Sequence, residues 1–231
     1  MDTRIAFTIA TIKQRIAAAA ARSHRPPDSV KLLAVTKTVP LMLIEEAINA
    51  GVTALGENYV QEAKEKITAL GRKTEWHMIG HLQTNKAKYA VKLFDYIHSV
   101  DRLDLAVEID KRAGLAGRKI NILIEVNVSG EKSKNGIEET KAIGLLKAIS
   151  GLENIAVKGL MTMAPYSSDP ENSRPCFSGL RNLQQKIIRE GIAGIRMDEL
   201  SMGMTDDFEI AIEEGATIVR IGRAIFGERN K

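Results

Sequence analysis

Eight short apolar strands alternate with amphipathic helices and turns along this chain, and this repeat restricts the fold more than any other feature. The predicted strands are Lys31–Thr36, Thr53–Glu57, Glu75–Gly80, Tyr96–Val100, Asn121–Val128, Ala156–Met161, Glu199–Met202 and Thr217–Ile221. The predicted helices between them are Leu41–Ala50, Val60–Leu70, Thr84–Leu93, Arg102–Ala113, Glu138–Ile149, Ser173–Arg189 and Asp206–Glu214. Strands that alternate with helices predict a parallel sheet, and eight such strands predict a closed (β/α)₈ TIM barrel.

A doubly wound open sheet is the alternative fold, but no Gly-x-Gly-x-x-Gly follows the first strand. Before the repeat, Ile5, Ile9, Ile12 and Ile16 recur at helical spacing. We therefore predict an extra N-terminal helix over residues 1–25 that packs on the barrel. No linker or shift in composition divides the chain, so residues 1–231 are predicted to form a single domain.

Charge and cysteine usage exclude several classes of protein. The formal net charge is +4, and no block of five like charges occurs, which argues against a nucleic-acid or membrane-surface protein. No apolar stretch is long enough to span a bilayer. The one cysteine, Cys176, cannot form an internal disulfide, which is typical of a reducing compartment. These observations predict a cytoplasmic protein.

Active sites of such barrels lie at the C-terminal ends of the strands. Those ends carry a lysine, an arginine, several hydroxyl groups and two glycine-containing turns. His77 and His81 are four residues apart, yet no third histidine or cysteine is near them in sequence, which argues against a zinc site.

Lys37 ends the stretch KLLAVTK, where five uncharged residues lead to an ammonium group. A lysine that emerges from an apolar strand loses hydration, which favours the neutral amine needed for Schiff-base chemistry with an aldehyde. The alternative is an ordinary strand-end lysine whose ammonium group reaches solvent.

Two turns near the C-terminus predict an anion site. SMGMTDD places Ser201, Gly203 and Thr205 at a strand end before a helix, and VRIGRAIFG has a second glycine turn at Gly222. Backbone N–H groups at helix starts bind anions, and the loops after strands seven and eight hold phosphate in many barrels. Alternatively, the glycines only permit tight turns. The neighbouring Asp206 and Asp207 would repel a phosphate unless they point away.

Taken together, the motifs resemble a known family. The matching stretches run in order from Leu32 to Gly227: LLAVTKTVP, GENYVQEAKEK, EWHMIGHLQTNK, IHSVDR, EVNVSGEKSKNGI, KGLMTMAP, LSMGMTDDFEIAI and VRIGRAIFG. The chain resembles the alanine racemase-like, single-domain pyridoxal 5'-phosphate (PLP) binding proteins, known as the PLP homeostasis protein family. The resemblance implies a fold-type III barrel without the second, β-rich domain of the racemases.

The resemblance also implies how the cofactor would be held. Lys37, within AVTK, would carry PLP as a Schiff base. Ser201, Gly203 and Thr205, within SMGMT, would bind its phosphate together with Gly222 in RIG.

Further contacts are implied around the cofactor ring. Arg220 would face the pyridine nitrogen, and Asn58 and His81 would lie beside the ring. Met161 and Met163 would line the pocket wall, unless they are plain core residues.

Position 223 departs from the family pattern, which has Thr or Ser after RIG where this chain has Arg223. The hydroxyl contact to phosphate is lost. The backbone N–H can still donate, and the guanidinium could bind the phosphate in its place. If the side chain points outward, we expect weaker binding.

The arginine that the resemblance places at the pyridine nitrogen affects whether bound PLP could catalyse a reaction. A guanidinium only donates hydrogen bonds, so it pairs with an unprotonated pyridine nitrogen, which makes the ring a poor electron sink. Racemisation needs a second base, and none of the four tyrosines lies in a motif that marks it as one. We therefore predict a non-catalytic PLP carrier involved in intracellular PLP homeostasis, with no catalytic residue and no metal.

Three alternative functions and three further expectations complete this interpretation. The chain could be a small fold-type III racemase or an amino-acid lyase, or a barrel isomerase acting on a sugar phosphate. PLP-dependent apoenzymes are further candidate partners, and the family suggests a monomer or weak homodimer. The polar segment Ser167–Arg174 is predicted to form a mobile loop that could gate the pocket.

Overall fold

The computed structural model describes residues 3–131 and 135–228. The first two residues of the predicted N-terminal helix, part of the EVNVSGEKSKNGI stretch and residues 229–231 lie outside the described residues. Within the described ranges, no helix combines the length and apolar character needed to cross a membrane.

Eight parallel strands close into a barrel, which confirms the predicted TIM-barrel fold. The strands are β1 (Lys31–Val35), β2 (Ala54–Glu57), β3 (Glu75–Met78), β4 (Tyr96–Val100), β5 (Ile120–Asn127), β6 (Ile137–Glu138), β7 (Ile155–Met161), β8 (Glu199–Ser201) and β9 (Ile218–Ile221). The ring runs β1-β2-β3-β4-β5-β7-β8-β9, and β9 pairs with β1 to close it. The two-residue β6 pairs only with β5.

Nine helices surround the strands in the described part of the chain. They are α1 (Thr3–Arg22), α2 (Leu41–Asn49), α3 (Val60–Leu70), α4 (Ala87–Leu93), α5 (Leu103–Leu115), α6 (Glu139–Ile149), α7 (Arg174–Glu190), α8 (Phe208–Glu213) and α9 (Arg223–Phe226). Short 3₁₀ turns at Pro27–Ser29, Thr84–Lys86 and Pro170–Ser173 precede β1, α4 and α7.

The predicted boundaries at Gly80 and Thr84 are wrong. The strand expected over Glu75–Gly80 ends at Met78, and a Cβ at Gly80 would lie 2.5 Å from the Asn58 carbonyl oxygen, so the chain turns there at close quarters. The helix expected from Thr84 begins with a 3₁₀ turn. The segment expected to be a loop over Ser167–Arg174 contains a 3₁₀ turn, because Pro170 presets its φ angle and the Asp169 carboxylate accepts the Glu171 N–H.

The N-terminal helix α1 packs on the barrel as expected. Its four periodic isoleucines are all buried, and the helix contacts α8 and α2. Arg15 and Arg22 reach across to Glu209 and Glu213 on α8 at 2.9 and 2.7 Å. An apolar stripe together with these ion pairs fixes the helix against α8.

The barrel interior contains only a small apolar layer. Its members are Leu33, Ala54, Leu123, Met161 and Ile218, and they form a cluster separate from the larger core between the strands and the helices. Inward-facing polar side chains lie on either side of this layer along the barrel axis. The candidate site lies on the side where the strands end.

Candidate functional site

Lys37 lies at the mouth of the barrel, two residues after β1 ends. Leu33 belongs to the inner apolar layer, so strand alternation places Val35 and Lys37 on the same inward face. Lys37 is half-buried, and the preceding Thr36 is fully buried. Thr38 has a φ angle of 61°, a left-handed conformation that is strained for a β-branched residue.

A buried ion cluster on α3 holds the residues on both sides of Lys37. The Lys66 ammonium group donates to the Thr36 carbonyl oxygen at 2.5 Å and to carboxylate oxygens of Glu57 and Glu62, each at 2.7 Å. Glu62 in turn accepts the Thr38 N–H at 2.5 Å. Burial raises the pKa of Glu57, and the hydrogen bond from Lys66 opposes that shift. The loop that presents Lys37 is therefore clamped to α3.

Arg220 on β9 places a buried cation beside the lysine strand. Its Nη1 donates to the Ser201 hydroxyl oxygen at 2.7 Å and its Nη2 to the Thr162 carbonyl oxygen at 2.9 Å. Burial lowers the pKa of Arg220 to about 10, so the guanidinium stays charged at neutral pH.

Burial and the nearby Asp101 raise the pKa of Glu125 to about 7, although Arg220 opposes the shift.

The SMGMT turn has a shape that only glycine permits at its centre. Gly203 has a φ angle of +88°, and a Cβ there would lie 2.5 Å from the Ala211 Cβ. The Gly203 carbonyl oxygen accepts the Arg220 N–H at 3.0 Å, which ties the turn to β9. Thr205 is half-buried on the same turn, and the buried Asp207 carboxylate accepts the Met204 N–H at 2.6 Å.

An ion pair joins the two glycine turns. Arg223, which begins α9 directly after Gly222, binds the Asp206 carboxylate, and both side chains are about half exposed. The guanidinium at the departure from the family pattern is thus engaged by a carboxylate. Asp206 and Asp207 both have partners of their own, Arg223 and the Met204 N–H.

Asn58 and His81 lie together at the outer rim. They line a cavity of about 640 Å³ between α3 and α4, together with Tyr59, Met78 and Tyr89. The described residues that line this cavity include neither Lys37 nor the two glycine turns. The structure therefore brings Lys37, Arg220 and the glycine turns to one end of the barrel and sets Asn58 and His81 at its edge.

The methionines and histidines considered in the sequence analysis differ in burial. Met161 is buried in the inner apolar layer, whereas Met163 is 37% exposed. His77 is fully buried inside the barrel and His81 is exposed. Among the residues that the structure describes, no group of three or more potential metal ligands is found.

Sequence reasoning missed three interior residues, Glu75, His77 and His98, as parts of the site. Their hydrogen bonds lead to Ser201, which binds Arg220. Polar residues occupy alternate positions of two strands, at Glu75 and His77 in β3 and at Tyr96 and His98 in β4. On a barrel strand, that alternation indicates an inward-facing polar row.

Comparison with known proteins shows which broad class of barrel this chain resembles and which family it belongs to. The family described as alanine racemase, N-terminal domain, matches residues 8–230. The pyridoxal phosphate homeostasis protein of Aquifex aeolicus is 47% identical over 222 residues, covering 96% of each chain. That of Escherichia coli is 40% identical over 237 residues, covering 98% of this chain and 97% of the relative. The chain belongs to the pyridoxal phosphate homeostasis protein family.

Solved structures agree on the fold. The PipY protein of Synechococcus elongatus, solved with PLP bound, has a TM-score of 0.84 and 36% identity, covering 96% of this chain and 100% of PipY. A protein from Bifidobacterium adolescentis has a TM-score of 0.92 and 41% identity, covering 98% and 97%. Alanine racemase of Clostridium difficile shares the fold at 14% identity, with a TM-score of 0.78, and this chain matches 58% of it.

Proposed function

We propose that this protein binds PLP through Lys37 and takes part in intracellular PLP homeostasis. The observation that carries the proposal is the half-buried lysine at the end of β1, next to the strand that holds the buried Arg220, in a chain of this family. Relatives named pyridoxal phosphate homeostasis proteins and the PLP-bound PipY structure support it.

The donor groups of the site fit the three functional groups of PLP. Lys37 offers an amine for the aldehyde. Arg220 offers N–H donors and no acceptor, which suits an unprotonated pyridine nitrogen. Gly203 and Gly222 lie in turns that precede α8 and α9, whose backbone N–H groups would donate to a phosphate, and Thr205 adds a hydroxyl group. Asp206 and Asp207 are held by Arg223 and by the Met204 N–H, so their charges are engaged within the turns.

The chain's own residues would bind and orient the cofactor. When bound, PLP supplies an aldehyde that condenses with a neutral amine. The α3 clamp fixes the backbone on either side of Lys37 and would thereby hold its amine at the mouth of the barrel. Arg220, anchored by Ser201 and Thr162, would keep the ring nitrogen free of a proton. No residue is assigned as a base for turnover, so we propose a carrier rather than an enzyme.

The binding proposal is tested by spectroscopy and peptide mapping. We expect the purified protein with PLP to be yellow and borohydride to fix a pyridoxyl adduct on Lys37. Lys37→Ala should lose the absorbance band, whereas Lys111→Ala, an exposed lysine on α5, should keep it. An adduct on another lysine, or an unchanged band in Lys37→Ala, would contradict the proposal.

The carrier proposal has a separate test. The PLP-loaded protein is incubated with L- and D-amino acids in deuterated water, and Cα deuterium is measured. A carrier leaves the amino acids unlabelled. Substantial exchange that disappears in Lys37→Ala would identify an enzyme of the racemase or lyase type instead.

We further propose a cytoplasmic protein that is a monomer or weak homodimer and passes PLP to apoenzymes. The single cysteine, which is buried, suits a reducing compartment. Light scattering across a range of concentrations measures the oligomeric state. Transfer is measured as recovered activity of a PLP-free aminotransferase, at a rate above that given by the same concentration of free PLP.

A further inference from the structure

A chain of side-chain hydrogen bonds crosses the barrel interior and ends on the Arg220 guanidinium. Arg220 Nη1 lies 2.7 Å from Ser201 Oγ, which lies 3.0 Å from His98 Nδ1. His98 Nε2 lies 2.8 Å from His77 Nδ1, and His77 Nε2 lies 3.3 Å from Glu75 Oε2. His77, His98 and Ser201 are fully buried, so water does not compete for the two contacts that join them, whereas Glu75 is partly exposed.

The two end groups fix the direction of the chain. A guanidinium only donates hydrogen bonds, and a carboxylate only accepts them. The hydrogen bond from His77, together with the Lys31 ammonium group 2.6 Å away, lowers the pKa of Glu75 to about 2, so it is a carboxylate at neutral pH.

The direction then settles both imidazole tautomers. Ser201 accepts from Arg220 and donates to His98 Nδ1. His98 donates its Nε2–H to His77 Nδ1, and His77 donates its Nε2–H to Glu75. The reverse order would leave the bare His77 Nε2 facing carboxylate lone pairs, which is repulsive.

Packing and burial keep this arrangement in place. The His77 ring stacks on Tyr96, with centroids 4.5 Å apart and planes at 4°, which fixes its orientation. Burial lowers the pKa of His77 and of His98, so both rings are neutral. A neutral imidazole has one donor and one acceptor, which is what each link of the chain requires.

We propose that His77 and His98 are positioning residues, which hold the Ser201 hydroxyl as an acceptor and thereby fix the buried Arg220 guanidinium. With the Thr162 carbonyl as the second anchor, two hydrogen bonds define the guanidinium plane. The direction of the hydrogen bonds does not depend on whether the protein binds PLP. The consequence for the pyridine nitrogen does, because it rests on the proposed function.

The first test uses the protein without cofactor, labelled with ¹⁵N-histidine. We expect two-bond ¹H–¹⁵N correlation spectra to show neutral Nε2–H tautomers for His77 and His98 at neutral pH. The Nη protons of Arg220 should give separate signals, because they are resolved only when guanidinium rotation is restricted. An Nδ1–H tautomer or an imidazolium at either histidine would overturn the proposal, whether or not the protein binds PLP.

The second test compares three variants. His98→Leu removes the hydrogen bonds of His98 to His77 and to Ser201. Ser201→Ala removes the hydroxyl group that accepts from Arg220, with little change in side-chain shape. Each should merge the Arg220 Nη signals and weaken PLP binding by about tenfold or more, the loss expected for one hydrogen bond to a charged group. His98→Gln keeps one donor and one acceptor and should restore most of the affinity.

A matched control separates positioning from general loss of stability. Gln184→Leu removes a buried hydrogen bond that is not part of the series from Glu75 to Arg220. In this bond, Gln184 Nε2 donates to the Met197 carbonyl oxygen at 2.7 Å. The substitution should lower stability and leave PLP affinity and the Arg220 signals unchanged. Separate Arg220 signals in folded Ser201→Ala, or an equal loss of affinity in Gln184→Leu, would overturn the proposal. If the wild-type protein binds no PLP, the proposed function fails, and the tautomers and Arg220 signals still decide this inference.

Discussion

Glu125 is the residue whose ionisation the barrel interior changes in the physiological range. It is buried, and the two charged groups that act on it are Asp101, which raises its pKa, and Arg220, which lowers it. Its folded pKa is about 7, raised from 4.5. Between these values the folded state holds a proton that the unfolded state has released. The contribution of Glu125 to stability is therefore present in acid and is lost as pH rises through about 7.

Glu125→Gln tests this sign. The free energy of unfolding, measured by urea denaturation at pH 5 and pH 8, should fall in the wild type relative to the variant as pH rises. Comparing the two proteins cancels the other titrating groups, including the buried histidines, whose lowered pKa values act in the opposite direction. A difference that does not change with pH would show that Glu125 does not titrate as described.

Arg223 is the residue where this chain leaves the family pattern, and its pairing with Asp206 allows a clean test. Arg223→Thr restores the family hydroxyl and should strengthen PLP binding by a few fold. The pair is about half exposed, so its loss should change stability by less than about 1 kcal/mol. Fluorescence titration with PLP measures the affinity, and thermal unfolding measures the stability. Weaker binding by the variant would show that the guanidinium itself assists the phosphate.

At the scale of elements, the α3 clamp makes the loop after β1 depend on one buried ammonium group. Lys66→Met removes the partner of the Glu57 carboxylate, whose side chain is fully buried. Removing one member of a buried ion pair costs about 3–5 kcal/mol, and the variant should also react more slowly with PLP at Lys37. Urea denaturation and the growth of the absorbance band measure the two effects. The double variant Lys66→Met, Glu57→Gln should recover most of the stability, because no fully buried charge is left unpaired and the partly exposed Glu62 still accepts the Thr38 N–H.

The elements also show what the sequence could and could not predict. The eight barrel strands were placed to within two residues because each is a short apolar run before an amphipathic helix. β6 and α9 were missed, since elements of two and four residues carry no periodic signal. Family motifs predict that Lys37, Gly203 and Arg220 form one site, and the fold places all three at the same end of the barrel. The bond from Lys66 to Thr36 joins residues thirty positions apart, and no local pattern specifies such a pair.

At the scale of the whole molecule, the polar barrel interior links its two ends. Lys31 and Glu75, where the strands begin, are partly exposed, and the buried hydrogen-bond chain runs from them to Arg220 near the strand ends. A buried polar row is tolerated only when each group has a partner. Here the polar row inside the barrel holds Arg220 in place, while α3, outside the barrel, holds the loop that carries Lys37. The end of the barrel that carries Lys37 and Arg220 is thus supported from both faces of the strand cylinder.

The N-terminal helix extends this support to the SMGMT turn. α1 packs on α8, which begins directly after that turn, and Ile9 in the contact stripe is 1% exposed. Ile9→Ala should lower the free energy of unfolding by about 2–5 kcal/mol, whereas Phe7→Ala, at a position 74% exposed, should cost less than about 0.5 kcal/mol. If α8 positions the turn, Ile9→Ala should also weaken binding of pyridoxine 5'-phosphate, which lacks the aldehyde and so does not report on Lys37. Isothermal titration at a temperature where both variants are folded measures this. A stability loss with unchanged affinity would show that α1 stabilises the barrel without ordering the site, and the turn would then owe its shape to Gly203 and β9 alone.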